Sequence, residues 1–120
     1  MERGHHLTTN QYLKSKNGQF IAILQEDGNF VLYNRDKGGK ADFASNTYLK
    51  PTNQVQLRND GHITVIDKSN PGNPYWKSRR NTDGGECFLV MQDDGNLVGY
   101  RGTHDTHPNN AYFSAWNLNL

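Results

Sequence analysis

A single cysteine, Cys87, stands in the whole chain, so neither an intramolecular disulfide nor a cysteine zinc site can be built from it. Long apolar runs are missing as well. The longest are five residues, Phe20 to Leu24 and Cys87 to Met91, far short of the ~20 that cross a bilayer or of a signal-peptide core. We therefore expect no membrane insertion, and either a cytoplasmic location or secretion by a non-classical route. An excess of one charge is also absent. Thirteen Lys and Arg stand against twelve Asp and Glu, a formal net charge of +1, with no basic stripe to attract nucleic acid. Hydrophobic residues make up only 33%, which raises the question of disorder. The small net charge argues against it, and so do the aromatics, six Tyr, five Phe and two Trp, which bury the most area each. One folded domain over residues 1–120 is expected, with a thin core and a very polar surface. Twelve Gly, four Pro and fifteen Asn make turns dense and long helices unexpected.

What the chain does contain is a pattern written three times. FIAILQEDGNFVLY runs from Phe20 to Tyr33, QVQLRNDGHITVI from Gln54 to Ile66, and CFLVMQDDGNLVGY from Cys87 to Tyr100. Each centres on an Asp-Gly pair, with Asp27, Asp60 and Asp94 spaced by 33 and 34 residues. An aromatic-x-Ser segment follows each: Phe43-Ala44-Ser45, Trp76-Lys77-Ser78 and Tyr112-Phe113-Ser114. The repeats cover approximately residues 9–45, 46–78 and 79–114, with a C-terminal strand at 111–120. Asp-Gly flanked by β-branched and aromatic residues predicts a hairpin. About four short strands per repeat, roughly twelve in all, follow from these patterns. No unit of this size buries a face alone, so the three must pack about a common axis. Phe43, Trp76 and Tyr112 are the expected axial aromatics.

Loop length decides which residues share a face. A three-residue loop, Glu26-Asp27-Gly28, makes Gly28 the left-handed residue of a G1 bulge and pairs Gln25 with Asn29 and Ile23 with Val31. Strand alternation then places Gln25, Asn29, Val31 and Tyr33 on one face beside Asp27. Ala22, Leu24, Phe30 and Leu32 go to the core. The third repeat supplies the same polar set: Gln92, Asp94, Asn96, Val98 and Tyr100. Two amides, a carboxylate and a phenol beside a small aliphatic side chain suit a sugar ring, with its neighbouring hydroxyls and C–H surface.

Gln25-x-Asp27-x-Asn29-x-Val31-x-Tyr33 and Gln92-x-Asp94-x-Asn96-x-Val98-x-Tyr100 both read QxDxNxVxY. On these residues, and on the three-repeat length, the chain resembles the bulb-type (monocot, snowdrop-like) mannose-binding lectins. The resemblance implies an all-β fold, the β-prism II, with three four-stranded antiparallel sheets in pseudo-threefold symmetry. It also implies no enzymatic activity, no required metal or cofactor, and mannose or mannose-terminated glycans as partners. Carried across, Asp27 and Asn29 would hold the axial O2 of mannose, Gln25 O3 and Tyr33 O4, while Val31 would touch the C3/C4 side. Asp94, Asn96, Gln92, Tyr100 and Val98 would do the same in the third repeat.

The middle repeat departs from the pattern, with Arg58, Asp60, His62, Thr64 and Ile66 in the five places. Only the carboxylate survives, so a degenerate site is expected there. Plant members often carry Cys where Gly28 stands. Cys87, in line with Leu89 and Met91, reads as a buried thiol. His104 and His107, even with His5 and His6, lack the strict spacing of metal ligands, and the segment from Asn34 to Gly39 has no Glu to close a calcium loop. A protein-interaction or cytoskeletal module on the same fold, without sugar binding, is the alternative. In the family, exchange of C-terminal strands makes dimers, and Trp116, Leu118 and Leu120 alternate as such a strand would; a homodimer is expected.

Overall fold

Each Asp-Gly pair closes a hairpin in the computed structural model, which describes residues 1–117. Strands β3 (Phe20–Leu24) and β4 (Phe30–Asn34), β6 (Gln54–Leu57) and β7 (Ile63–Ile66), and β9 (Cys87–Met91) and β10 (Leu97–Arg101) are the three pairs. The loops have the anticipated geometry. Gly28 N–H donates to Gln25 O at 3.0 Å and Gln25 N–H to Asn29 O at 2.9 Å, and Ile23 lies opposite Val31. Gly28, Gly61 and Gly95 have φ of +91°, +88° and +92°, a region that residues with a Cβ enter only at a cost.

The remaining strands are β1 (His6–Thr8), β2 (Tyr12–Lys14), β5 (Lys40–Ala44), β8 (Trp76–Lys77) and β11 (Ala111–Ser114). Three antiparallel sheets result, ordered β2-β3-β4-β5, β1-β6-β7-β8 and β9-β10-β11. This is the β-prism II arrangement. The N-terminal residues complete two of the sheets, which the sequence pattern did not indicate. Strand β1 adds to β6, and residues 1–3 run along β9, with Arg3 N–H donating to Cys87 O at 3.1 Å and Leu89 N–H to Met1 O at 2.7 Å. Only Leu7 of β1 is a buried apolar residue, too little to register as a periodic signal. The expected C-terminal strand at 111–120 is shorter among the described residues: β11 ends at Ser114 and residues 115–116 form a turn. Trp116 is exposed, while Leu118 and Leu120 lie outside the described residues.

Alternation along the hairpins sends one set of side chains inward. Ala22, Leu24, Phe30 and Leu32 from the first sheet meet Val55, Leu57, Ile63 and Val65 from the second and Leu89, Met91 and Leu97 from the third, in one core. Cys87 joins them, 2% exposed, and burial raises its thiol pKa above the ordinary value. At about 1.5–3 kcal/mol for each large apolar side chain buried, a small core still supports the chain, because all three sheets share it.

At the axis, Phe43 and Trp76 meet edge-to-face at 5.7 Å, and Trp76 and Phe113 at 5.9 Å. The third axial aromatic is therefore Phe113, one residue beyond the expected Tyr112. The reason is the register of β11. Ala115 N–H donates to Leu97 O at 2.9 Å, as Ser45 N–H does to Phe30 O, so Ala115 holds the place of Ser45 and the aromatic two residues earlier is Phe113. Tyr112 is buried elsewhere, and its hydroxyl donates to Gly61 O at 2.7 Å.

Candidate functional site

The outer faces of the first and third sheets carry matching polar networks. In the first, Asp27 Oδ1 accepts the Asn29 N–H at 2.9 Å, tying the carboxylate to the turn. In the amide orientation that satisfies all three groups, the Tyr33 hydroxyl donates to Gln25 Oε1, and Gln25 Nε2 donates to the Asp27 carboxylate at 3.2 Å. Asn29 Oδ1 accepts from Ser45 Oγ at 3.1 Å and from Thr47 N–H at 3.2 Å. Those two bonds fix the amide and leave its Nδ2 as the unspent donor beside a carboxylate acceptor. A hydroxyl placed between them could donate to one and accept from the other.

The third repeat has the same wiring around its carboxylate. Asp94 Oδ1 accepts Asn96 N–H at 2.9 Å, the Tyr100 hydroxyl donates to Gln92 Oε1, and Gln92 Nε2 lies 3.2 Å from Asp94 Oδ1. Asn96 Oδ1 accepts from Ser114 Oγ at 3.1 Å and Trp116 N–H at 3.2 Å, and here, unlike in repeat 1, its Nδ2 also lies 2.9 Å from Ser114 Oγ as a donor. Val31 and Val98 are each 3% exposed, so each offers a floor more than a wall. Tyr100 is more enclosed than half-buried Tyr33, because Phe88 stacks on its ring at 5.5 Å and 26°. Around the third set the chain forms a cavity of about 280 Å³, whose rim includes Pro108, Ala111, Ser114 and Asn117. That volume suits a small ligand.

A β-bulge marks both sites. Val31 lies opposite Ala44 but Tyr33 opposite Ala41; Val98 lies opposite Ser114 but Tyr100 opposite Ala111. The partner strand gains one residue at the same place in each, which bends it where the valine gives way to the tyrosine. In the middle repeat Thr64 pairs with Lys77 and Val65 with Trp76, with no such shift. Of the residues that orient the asparagines, Ser45 and Ser114 belong to the aromatic-x-Ser repeat, which reads as architecture, and Thr47 lies outside it.

In the middle repeat the five positions do not assemble a comparable set. Arg58 Nη2 holds Asp60 Oδ2 at 2.6 Å, and the His62 ring nitrogen Nδ1 sits 2.7 Å from Ser78 O. Thr64 and Ile66 are 1% and 0% exposed. What persists is the turn itself, since Asp60 Oδ1 still accepts His62 N–H at 3.1 Å.

Among the described residues no three His, Cys, Asp or Glu side chains converge. Asn34 instead caps the 3-10 turn Arg35–Lys37, its side chain accepting Asp36 N–H at 3.2 Å. A Cβ at Gly28 would lie 2.5 Å from Lys50 O, so the cysteine of plant members has no room here.

The B-type lectin plumieribetin of Scorpaena plumieri is 30% identical over 101 residues, 82% of each chain. The chain belongs to the bulb-type lectin family. No family model matches it. Mannose-specific lectin CEA of Colocasia esculenta is 33% identical over 84 residues, 69% of this chain. The chain spans only 29% of that lectin's length. Among solved structures, the mannose-specific agglutinin of snowdrop, Galanthus nivalis, complexed with methyl-α-D-mannoside, superposes with a TM-score of 0.72 at 32% identity. That match covers 89% of this chain and 95% of the agglutinin. These relatives are lectins, which bind carbohydrate and catalyse nothing, and mannose-specific homologues with bound mannoside support carbohydrate binding by this lectin.

Proposed function

We propose that this lectin binds terminal mannose of glycans at two sites, the QxDxNxVxY sets of repeats 1 and 3. The observation that carries the proposal is the duplicated network in which an asparagine amide, its oxygen held by the neighbouring strand, stands beside the aspartate; its nitrogen makes no other bond among the described residues in repeat 1 and shares Ser114 Oγ in repeat 3. That donor–acceptor pair matches one hydroxyl, and the axial O2 of mannose is the group assigned to Asp27 and Asn29, and to Asp94 and Asn96. Gln25 and Gln92 take O3, Tyr33 and Tyr100 take O4, and the valines meet the C3/C4 side. An equatorial O2, as in glucose, would leave those prepared groups unpaired, which is the costly outcome. The middle repeat is read as non-binding, because Arg58 already neutralises Asp60 and no phenol stands at Ile66.

Each shallow site should hold a monosaccharide in roughly the millimolar range, and engaging two mannose ends at once should raise the effective affinity. Two sites allow cross-linking from a single chain. The edge of β9 is already taken by residues 1–3, so a homodimer needs another edge; light scattering at micromolar concentration tests it, and a monomer mass counts against it. A glycan array comparing the wild type with Asp27→Ala and Asp94→Ala tests the function. Signal on mannose-terminated glycans that drops in each variant is expected. Silence on those glycans would sink the proposal, and partner binding that survives the double variant would favour a protein-interaction role.

A further inference from the structure

Next to the repeat 3 site lies a second cleft, of about 450 Å³, lined by Arg79, Arg80, Thr82, Arg101, Ala111 and Tyr112. Ala111 lines both cavities, so they adjoin. Three guanidiniums in one cleft are a local concentration of positive charge in a chain whose formal net charge is only +1. Among the described residues their one ion-pair partner is Asp83, whose Oδ2 lies 3.1 Å from Arg101 Nε and whose side chain is 68% exposed. The neighbouring acids are otherwise engaged: Glu86 pairs with Arg3 and Asp60 with Arg58. Arg79 and Arg80 make no ion pair among the described residues. Below the guanidiniums, Ala111 and the ring of Tyr112 provide an apolar surface, the Tyr112 hydroxyl being turned inward to Gly61 O.

We propose that this cleft is an extension of the repeat 3 site for an anionic substituent, a sulfate, a phosphate ester or a carboxylate, on the sugar next to the bound mannose. The inference rests on the mannose reading of repeat 3. Arginine forks match such oxyanions in geometry as well as charge, and Asp83, an exposed and weakly held partner, marks where an incoming anion binds Arg101. Repeat 1 has no arginine at the matching place. In β4 the residue after Tyr33 is Asn34, committed to its turn, where β10 has Arg101 after Tyr100. The first site is thus an internal control.

The test uses a mannobioside with terminal mannose, neutral or carrying sulfate, phosphate or a uronic carboxylate on its second sugar, titrated into Asp27→Asn protein, which retains repeat 3, and Asp94→Asn protein, which retains repeat 1. With repeat 3, at least one charged form should bind about 3- to 10-fold tighter than the neutral one. The preference should shrink at high salt. The three charged arms identify the substituent. Arg79→Gln/Arg80→Gln and, separately, Arg101→Gln should bring the charged-to-neutral ratio towards one, while Arg79→Lys/Arg80→Lys should keep part of it. Repeat 1 should show no preference. Equal binding of charged and neutral ligands at repeat 3 would overturn the proposal. If no mannobioside binds, the mannose reading fails. Sodium sulfate alone then decides the cleft, since absence of NMR shifts at Arg79, Arg80 and Arg101 overturns it too.

Discussion

Replacing Asp27 and Asp94 by Asn, singly and together, removes a negative charge from each loop while leaving an oxygen for the turn. In the native chain each carboxylate accepts the asparagine N–H at 2.9 Å and the glutamine amide at 3.2 Å. An Asn side chain keeps the first contact and weakens the second, so each substitution should cost only about 0.5–1.5 kcal/mol of stability. The effect on ligand is larger in proportion. A sugar hydroxyl donating to a carboxylate contributes roughly 1.5–3 kcal/mol, whereas a millimolar site has about 4 kcal/mol in total. Losing that bond should therefore weaken a site by roughly ten- to a hundredfold. Calorimetric or NMR titration with methyl α-mannoside should show about half the sites in each single variant and none in the double, with urea midpoints moved only slightly. A double variant that still bound the mannoside like the wild type would refute the argument. So would a collapse in stability, since the carboxylates would then serve the fold.

Three structural predictions accompany it. Ala at Gly28 or Gly61 must adopt a positive φ and place a Cβ 2.5 Å from backbone, Lys50 O or Asn81 N, whereas at Gly95 the Cβ meets the Phe20 ring at 2.7 Å. Backbone strain of about 1–2 kcal/mol applies to all three, but the overpacking cost, about 1–3 kcal/mol, should be smaller at Gly95 because a ring yields more easily than a peptide. Urea denaturation should rank them in that order. At the axis, Phe113→Ala should cost about 3–5 kcal/mol and Tyr112→Phe about 1–3 kcal/mol, the latter by leaving Gly61 O unpaired; equal costs would contradict the assignment of Phe113 to the axis. Finally, burial raises the pKa of Cys87 and of Tyr112, so the unfolded chain gives up these protons first. Stability should be unaffected by these groups below the ordinary thiol range and fall as pH rises above it. Cys87→Ala should make that alkaline decline shallower in denaturation at pH 8 to 10, and an unchanged slope would remove Cys87 as a cause.

Much of the site was legible because it is local. Gln25, Asp27, Asn29, Val31 and Tyr33 lie within nine residues of chain, and loop length plus alternation suffices to put them on one face. The groups that orient them are not local. Ser45 and Thr47 reach Asn29 from 16 and 18 residues away, and Phe88 reaches Tyr100 across β9 and β10. The exchange of Tyr112 for Phe113 at the axis has a similar origin. Ala115, not Ser114, pairs with Leu97 as Ser45 pairs with Phe30, so β11 sits one residue out of step with the aromatic-x-Ser pattern, and a one-residue change reverses which side chain faces the axis.

The sequence by itself determined the three hairpins, their G1 loops, the two faces of each and the duplicated polar set, since all of these follow from spacing within a few residues. Tertiary structure alone decided which strand closes each sheet, which aromatics meet at the axis, and that Arg79 and Arg80 share a cleft with Arg101 beside one site. Those outcomes depend on contacts between segments 20 to 90 residues apart, such as Arg3 with Cys87 or Tyr112 with Gly61. Pairing over that distance is selected by the packing of the whole core, and no short run of residues encodes it.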